Sequence, residues 1–177
     1  GGKVTGGVLV FRDLSARELV AEKLRYQAFH DPLTDLPNRP WFMERLEKAG
    51  DRAKENPDYL FAVLFLDLDR FKLVNESLGN TFGDRLLIAV ASKLSELTRQ
   101  SDAVARWGED KFVILLENVA NVEEACQVAQ RIQRELMLPI ELDEHELFTS
   151  ASIGIVLSSM GSEITKDLLR DATIATH

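Results

Sequence analysis

Apolar residues along this chain alternate between two kinds of spacing. Leu60 to Leu66 (LFAVLFL) is an uninterrupted apolar run, as expected of a central strand buried on both faces. Leu86, Val90, Leu94 and Leu97 recur at helical spacing and predict a long amphipathic helix ending near Gln100. Val104 to Trp107 and Phe112 to Leu116 read as two short strands joined at Gly108-Glu109-Asp110-Lys111, a hairpin. Asn121-x-x-Glu124 caps a helix carrying Ala125, Val128 or Ala129, Ile132 and Leu136. Phe148 to Leu157 (FTSASIGIVL) is the last strong strand, after a polar turn at Asp143-Glu144-His145. Upstream, a Pro/Asp/Asn-rich loop from His30 to Arg39 (HDPLTDLPNR) feeds a helix from about Pro40 to Lys54. The order helix, strand, helix, hairpin, helix, strand, helix predicts an α+β fold, an antiparallel-containing sheet with helices packed against it.

The two ends read differently. Gly6 to Arg12 (GGVLVFR) looks like a lone strand with no partner downstream, so residues 1–13 are expected to be the last strand of a preceding domain. Ser15-x-x-Glu18 is a capping box that opens a helix through about Phe29, with Leu19 or Val20, Leu24 and Ala28 on one side. Residues 14–29 then form a linker helix, which either pairs with its twin in a homodimer or packs on its own domain. Leu168, Leu169, Ala172 and Ala175 begin a further amphipathic helix that the sequence truncates, and residues 30–177 make up the main domain.

Composition narrows the function classes. With 177 residues, 45% of them hydrophobic, the chain can bury one sizeable core. The net charge of −8 argues against DNA or other non-specific nucleic-acid binding, which needs a basic face. Cys126 is the single cysteine, so the sequence has no disulfide framework and no thiolate metal cluster, and a cytoplasmic location is expected. No apolar run approaches the roughly 20 residues of a membrane span. Cys126, Trp41 and Trp107 read as core; His30, His145 and His177 are too scattered for a zinc site.

Candidate chemistry begins where the buried strand ends. Asp67 and Asp69 are two apart, hence on one side of an extended backbone, where carboxylates need a cation or hydrogen-bond donors. Magnesium prefers carboxylate oxygens and a substrate phosphate; an ordinary polar strand end is the plainer alternative. Phe71-Lys72-Leu73-Val74-Asn75-Glu76 leads to Gly79-Asn80-Thr81-Phe82-Gly83-Asp84, a glycine-containing polar loop whose N–H groups could meet phosphate. Asn75 and Asp84 could read a base edge, Asp accepting from N–H groups as guanine presents them.

HDPLTDLPNR, DLDRFKLVNESLGNTFGD and RWGEDKF, in this order and at these separations, resemble the GGDEF family of bacterial diguanylate cyclases over roughly residues 27–177. The resemblance implies a polymerase- and adenylyl-cyclase-like palm fold, a central mixed sheet flanked by helices with the signature on a hairpin. It also implies condensation of two GTP molecules into cyclic di-GMP by two-metal chemistry between two domains. By position Asp67 would be a metal ligand, Asn75 and Asp84 guanine contacts, and Lys72, beside Phe71, a phosphate contact. Asp110 falls on the acidic third position of the signature, as a catalytic and metal-binding carboxylate. Arg99-Gln100-Ser101-Asp102 matches the family's inhibitory cyclic di-GMP site, Arg-x-x-Asp, although a solvated helix-end pair would look the same. The linker helix resembles those that follow PAS-like sensor domains, and phosphodiesterase domains of the EAL type commonly follow such modules.

Two departures sit in the signature. Its second glycine is Glu109 and its glutamate is Lys111. Glu109 adds a Cβ and a negative charge facing phosphates, and Lys111 puts a cation where a metal-binding anion is needed. At about 4 Å and an effective dielectric near 20, each unit pair is worth about 4 kcal/mol, so magnesium is expected to bind weakly or not at all. The alternative is that Lys111 turns outward and Glu109 supplies the carboxylate. The leading expectation is a degenerate module that binds GTP or cyclic di-GMP and regulates a neighbouring domain. An active cyclase with an unusual signature and a scaffold that binds nothing are the other readings.

Overall fold

The computed structural model of the chain describes residues 3–160, with side chains from 15 to 159. The helix expected over Leu168 to Ala175 lies outside the described residues. At the centre is β1 (Ala62–Leu68). The four-stranded sheet runs in the order β2 (Ala103–Arg106), β3 (Lys111–Leu116), β1, β6 (Ala151–Leu157). A mixed sheet was the expectation; all three pairings of this sheet, within the described residues, are antiparallel. A separate hairpin, β4 (Ile140–Leu142) with β5 (His145–Leu147), flanks the polar turn at Asp143.

Strand alternation sorts side chains into two cores, one on each face of the sheet. Ala62, Leu64, Leu66 and Leu68 face α4 (Asn80–Leu97) and α5 (Val122–Leu136), meeting Leu86, Val90, Leu94, Ile132 and Leu136. Val63 and Phe65 face α2 (Arg39–Glu55) and its Phe42 and Leu46. The uninterrupted apolar run of β1 follows directly, since both of its faces are covered. The chain is therefore an α+β sandwich, as the order of elements predicted. Trp41 and Trp107 are half-buried against the α2 side, and Cys126 is half-buried on α5.

The cap read from sequence holds at α5, and the structure adds one at α2. Asn38 Oδ1 accepts from Trp41 N–H at 3.2 Å with Pro40 in the first turn, and Asn121 Oδ1 accepts from Glu124 N–H at 3.0 Å. Two other expectations are corrected. Gly6 to Arg12 is not a strand: α1 runs unbroken from Lys3 to Phe29, and Ser15 lies inside it rather than at its start. A lone strand would leave its ladder N–H and C=O groups unpaired, whereas a helix satisfies them within the segment. The polar loop expected over Gly79 to Asp84 is not one either: α4 already begins at Asn80, and the stretch before Gly79 is helical too. It forms α3 (Phe71–Leu78), opened by Arg70 at φ 59° and closed by Gly79 at φ 90°. Only glycine takes such a φ without strain, so Gly79 makes the corner between the two helices.

One buried carboxylate ties elements together. Glu117, at the end of β3, accepts from Arg45 Nε at 2.8 Å, Arg52 Nη1 at 2.7 Å and Tyr59 Oη at 3.1 Å. Its backbone N–H donates to Asp102 Oδ1 at 3.2 Å, linking α2 to the turn after α4. Burial, then the neighbouring Glu117 charge, pushes the Tyr59 hydroxyl up to about 12.

Candidate functional site

The signature turn joins β2 to β3 beside the end of β1. In the ladder Asp67 is the direct partner of Lys111, so their side chains leave the same face of the sheet. Lys111 Nζ bonds Asp67 Oδ2 and lies 3.9 Å from Asp110 Oδ1. The Lys111 and Asp67 side chains are 29% and 19% exposed, so the pair is only partly screened by water. The alternative in which Lys111 turns outward is thereby corrected: register aims it inward, and Glu109 is the exposed one. Burial first, and the Asp67 carboxylate second, push the Asp110 carboxyl above its ordinary range; the Lys111 ammonium pulls it back.

Asp69 stands apart from this cluster. Its oxygens accept from Ser150 Oγ at 2.6 Å and Ser152 Oγ at 2.8 Å on the β6 side, so hydroxyls stabilise its charge. Neither serine could be singled out without the β1–β6 register.

Phe71, Asn75, Asn80, Asp84, Leu87, Arg106 and Glu109 line one cleft of about 310 Å³, between α3, α4 and the signature turn. It thus brings together the expected base-reading pair, Phe71 and Glu109. Lys72 is not in that lining; it is 89% exposed and sits 3.7 Å from Glu76. Asn75 Oδ1 is buried and accepts no hydrogen bond, which leaves an acceptor in want of a donor. Gly83 permits this position, because a Cβ there would fall 1.8 Å from that oxygen. Asn80 joins the lining although only its place in the polar loop suggested it.

Arg106 is the residue the sequence left without a role. It donates through Nε to the Gly108 carbonyl at 2.6 Å and through Nη2 to the Glu109 carbonyl at 2.6 Å. Its Nη1 reaches Asp31 Oδ2 at 3.3 Å, and its backbone N–H donates to the Pro37 carbonyl at 2.9 Å. The turn is thereby fastened to the loop at the foot of α1. An arginine at the last position of a strand before a tight turn is the signal that could have marked it.

At the Arg-x-x-Asp turn, Arg99 is 63% exposed and pairs with Glu124 at 3.0 Å. Asp102 closes the turn, accepting from Arg99 N–H at 3.0 Å as well as from Glu117 N–H. The guanidinium is accessible; the carboxylate already has structural work.

The family model described as diguanylate cyclase, GGDEF domain, matches residues 28–177. The chain is 41% identical over 155 residues to the diguanylate cyclase TpbB of Pseudomonas aeruginosa, covering 87% of this chain and 35% of that protein. It is 39% identical over 158 residues to the cyclic di-GMP phosphodiesterase NbdA of the same species, covering 87% of this chain and 19% of NbdA. The chain therefore spans only about a third or less of these relatives. The structure of a TpbB fragment of Pseudomonas aeruginosa comprising only the GGDEF domain superposes with a TM-score of 0.79 at 40% identity, over 83% of this chain and 86% of that one. Sequence and fold agree, and the chain belongs to the GGDEF domain family of cyclic di-GMP signalling.

Proposed function

We propose that this domain is a guanine-nucleotide-binding regulatory module that has lost cyclase chemistry. The observation that carries the reading is the Lys111 ammonium on the Asp67 carboxylate. A cyclase of this family needs divalent metal at that carboxylate, and the residues present do not fit it. Asp67 already holds a cation, Asp110 is the other carboxylate in reach of that cation, and a metal entering would meet the ammonium's like charge. Among the described residues no group of three His, Cys, Asp or Glu converges so as to hold a metal ion.

Nucleotide binding is the part that survives. The orphaned Asn75 oxygen and the Asp84 carboxylate are acceptors on one cleft, suited to the ring and exocyclic N–H donors of guanine. Cyclic di-GMP is a second ligand of this module, at the accessible Arg99 guanidinium. The likeness to NbdA, which bears a phosphodiesterase name, supports an output domain of the EAL type in the same chain, governed by the bound nucleotide. No helix of the described residues is long and apolar enough to cross a membrane.

The name of TpbB favours a second reading, an active cyclase. A turnover assay with GTP and magnesium separates the two. The expected result is no cyclic di-GMP from the natural sequence and recovered synthesis in the double variant Glu109→Gly, Lys111→Glu. Synthesis by the unaltered chain would falsify the regulatory reading.

A further inference from the structure

We infer that the cleft between α3, α4 and the signature turn selects its guanine ligand by charge, taking guanosine in preference to GTP, with Glu109 the residue that turns phosphate away. The inference rests on the reading of this cleft as a guanine site and adds which phosphorylation state it accepts.

The lining offers acceptors and little free positive charge. Asp84 and Glu109 are its two carboxylates, and the buried Asn75 Oδ1 is a further acceptor without a donor. Arg106 is the cation of the same lining. In the ladder it pairs with Phe112, and its guanidinium carbon lies 5.7 Å from the Phe112 ring centre, on the sheet face that α4 covers. That guanidinium is already engaged. Nε and Nη2 donate to the Gly108 and Glu109 carbonyls, and Nη1 holds Asp31 at 3.3 Å, a pair whose side chains are only 11% and 21% exposed. Its charge is thereby answered inside the protein, and a phosphate claiming it must compete with those bonds.

Neither nearby lysine takes its place. Lys72 lies outside the lining, in water, 3.7 Å from Glu76. Lys111 leaves its strand on the α2 face, by the alternation that sends Val63 and Phe65 there, and is bonded to Asp67. Two helix starts remain: α3 begins at Phe71 and α4 at Asn80, both in the lining and neither capped by a side chain. Each such end carries about half a positive charge, so together they fall short of two full carboxylates. A base and its ribose bring N–H and O–H donors to these acceptors, whereas each added phosphate brings like charge against them. With Asp84 taken up by the guanine edge, Glu109 on the exposed turn is the carboxylate left to oppose phosphate.

Calorimetric titration with guanosine, GMP and GTP, in EDTA at low salt, tests this on the natural sequence and on Arg99→Ala. The ratios are read in Arg99→Ala, where phosphate no longer meets that accessible guanidinium. Affinity should fall in the order guanosine, GMP, GTP, with GTP weaker than guanosine by roughly tenfold or more. In about 1 M salt, which shortens the screening length to about 3 Å, the gap should close to within roughly threefold. Adding Glu109→Gln, with folding checked by circular dichroism, should shrink the low-salt gap by roughly threefold or more. A low-salt gap under roughly tenfold, or one that survives high salt or ignores Glu109→Gln, overturns the inference while guanine recognition stands. If none of the three ligands binds, the inference and the guanine reading of this cleft fall together.

Discussion

At the scale of single residues, Asn75 shows a conflict between stability and function. A buried amide oxygen without a donor costs the protein about 1–3 kcal/mol, and such groups persist where a ligand completes them. Gly83 is the residue that makes room. Gly83→Ala would set a methyl 1.8 Å from Asn75 Oδ1 and 3.2 Å from Phe71 Cζ, so the amide must swing out of the cleft wall. Because Gly83 lies within α4, alanine also gains roughly 0.5–1 kcal/mol of helix propensity. The expected outcome is a thermal midpoint within a few degrees of the original and guanine-nucleotide affinity reduced by roughly tenfold or more. Unchanged affinity in a titration would show that Asn75 does not read the base.

At the scale of elements, Glu117 joins what packing alone would leave loosely connected. It links α2, through Arg45 and Arg52, with β3, and through Asp102 with the turn that carries Arg99. Removing the carboxylate strands two arginines, but both are partly exposed, so Glu117→Ala should destabilise by about 1–3 kcal/mol rather than the larger cost of a fully buried pair. Denaturant unfolding measures that loss; the bond to Asp102 comes from the Glu117 backbone N–H and survives the substitution, so cyclic di-GMP affinity at Arg99 should be unchanged in a titration. The elements themselves were largely legible from spacing. The apolar run of β1, the cap at Asn121 and the hairpin around Gly108 all stand where the sequence put them. What failed has a common physical cause. Gly6 to Arg12 has the composition of a strand, and α3 sits among the glycines and polar residues of a loop, but composition does not say which backbone partners are at hand. Register was hidden for the same reason. The sequence offers Asp67 and Lys111 as separate letters, and only the ladder makes them neighbours.

At the scale of the whole molecule, α1 carries an apolar stripe left exposed among the described residues. Leu19, Val20 and Leu24 are 65%, 59% and 61% exposed, although each is apolar. A second copy of the same helix is the occupant that the linker reading proposes. On that reading Leu24→Glu should convert a dimer to a monomer in sedimentation while leaving the unfolding midpoint of the sandwich unchanged; a chain that is monomeric before the substitution rules the pairing out. The foot of this helix is also where Arg106 fastens the signature turn, through Asp31 on one side and the Gly108 and Glu109 carbonyls on the other. That clasp gives the hairpin tip a one-sided polarity. With those two oxygens occupied, an approaching molecule that seeks main-chain acceptors at Gly108 or Glu109 must first dislodge a guanidinium.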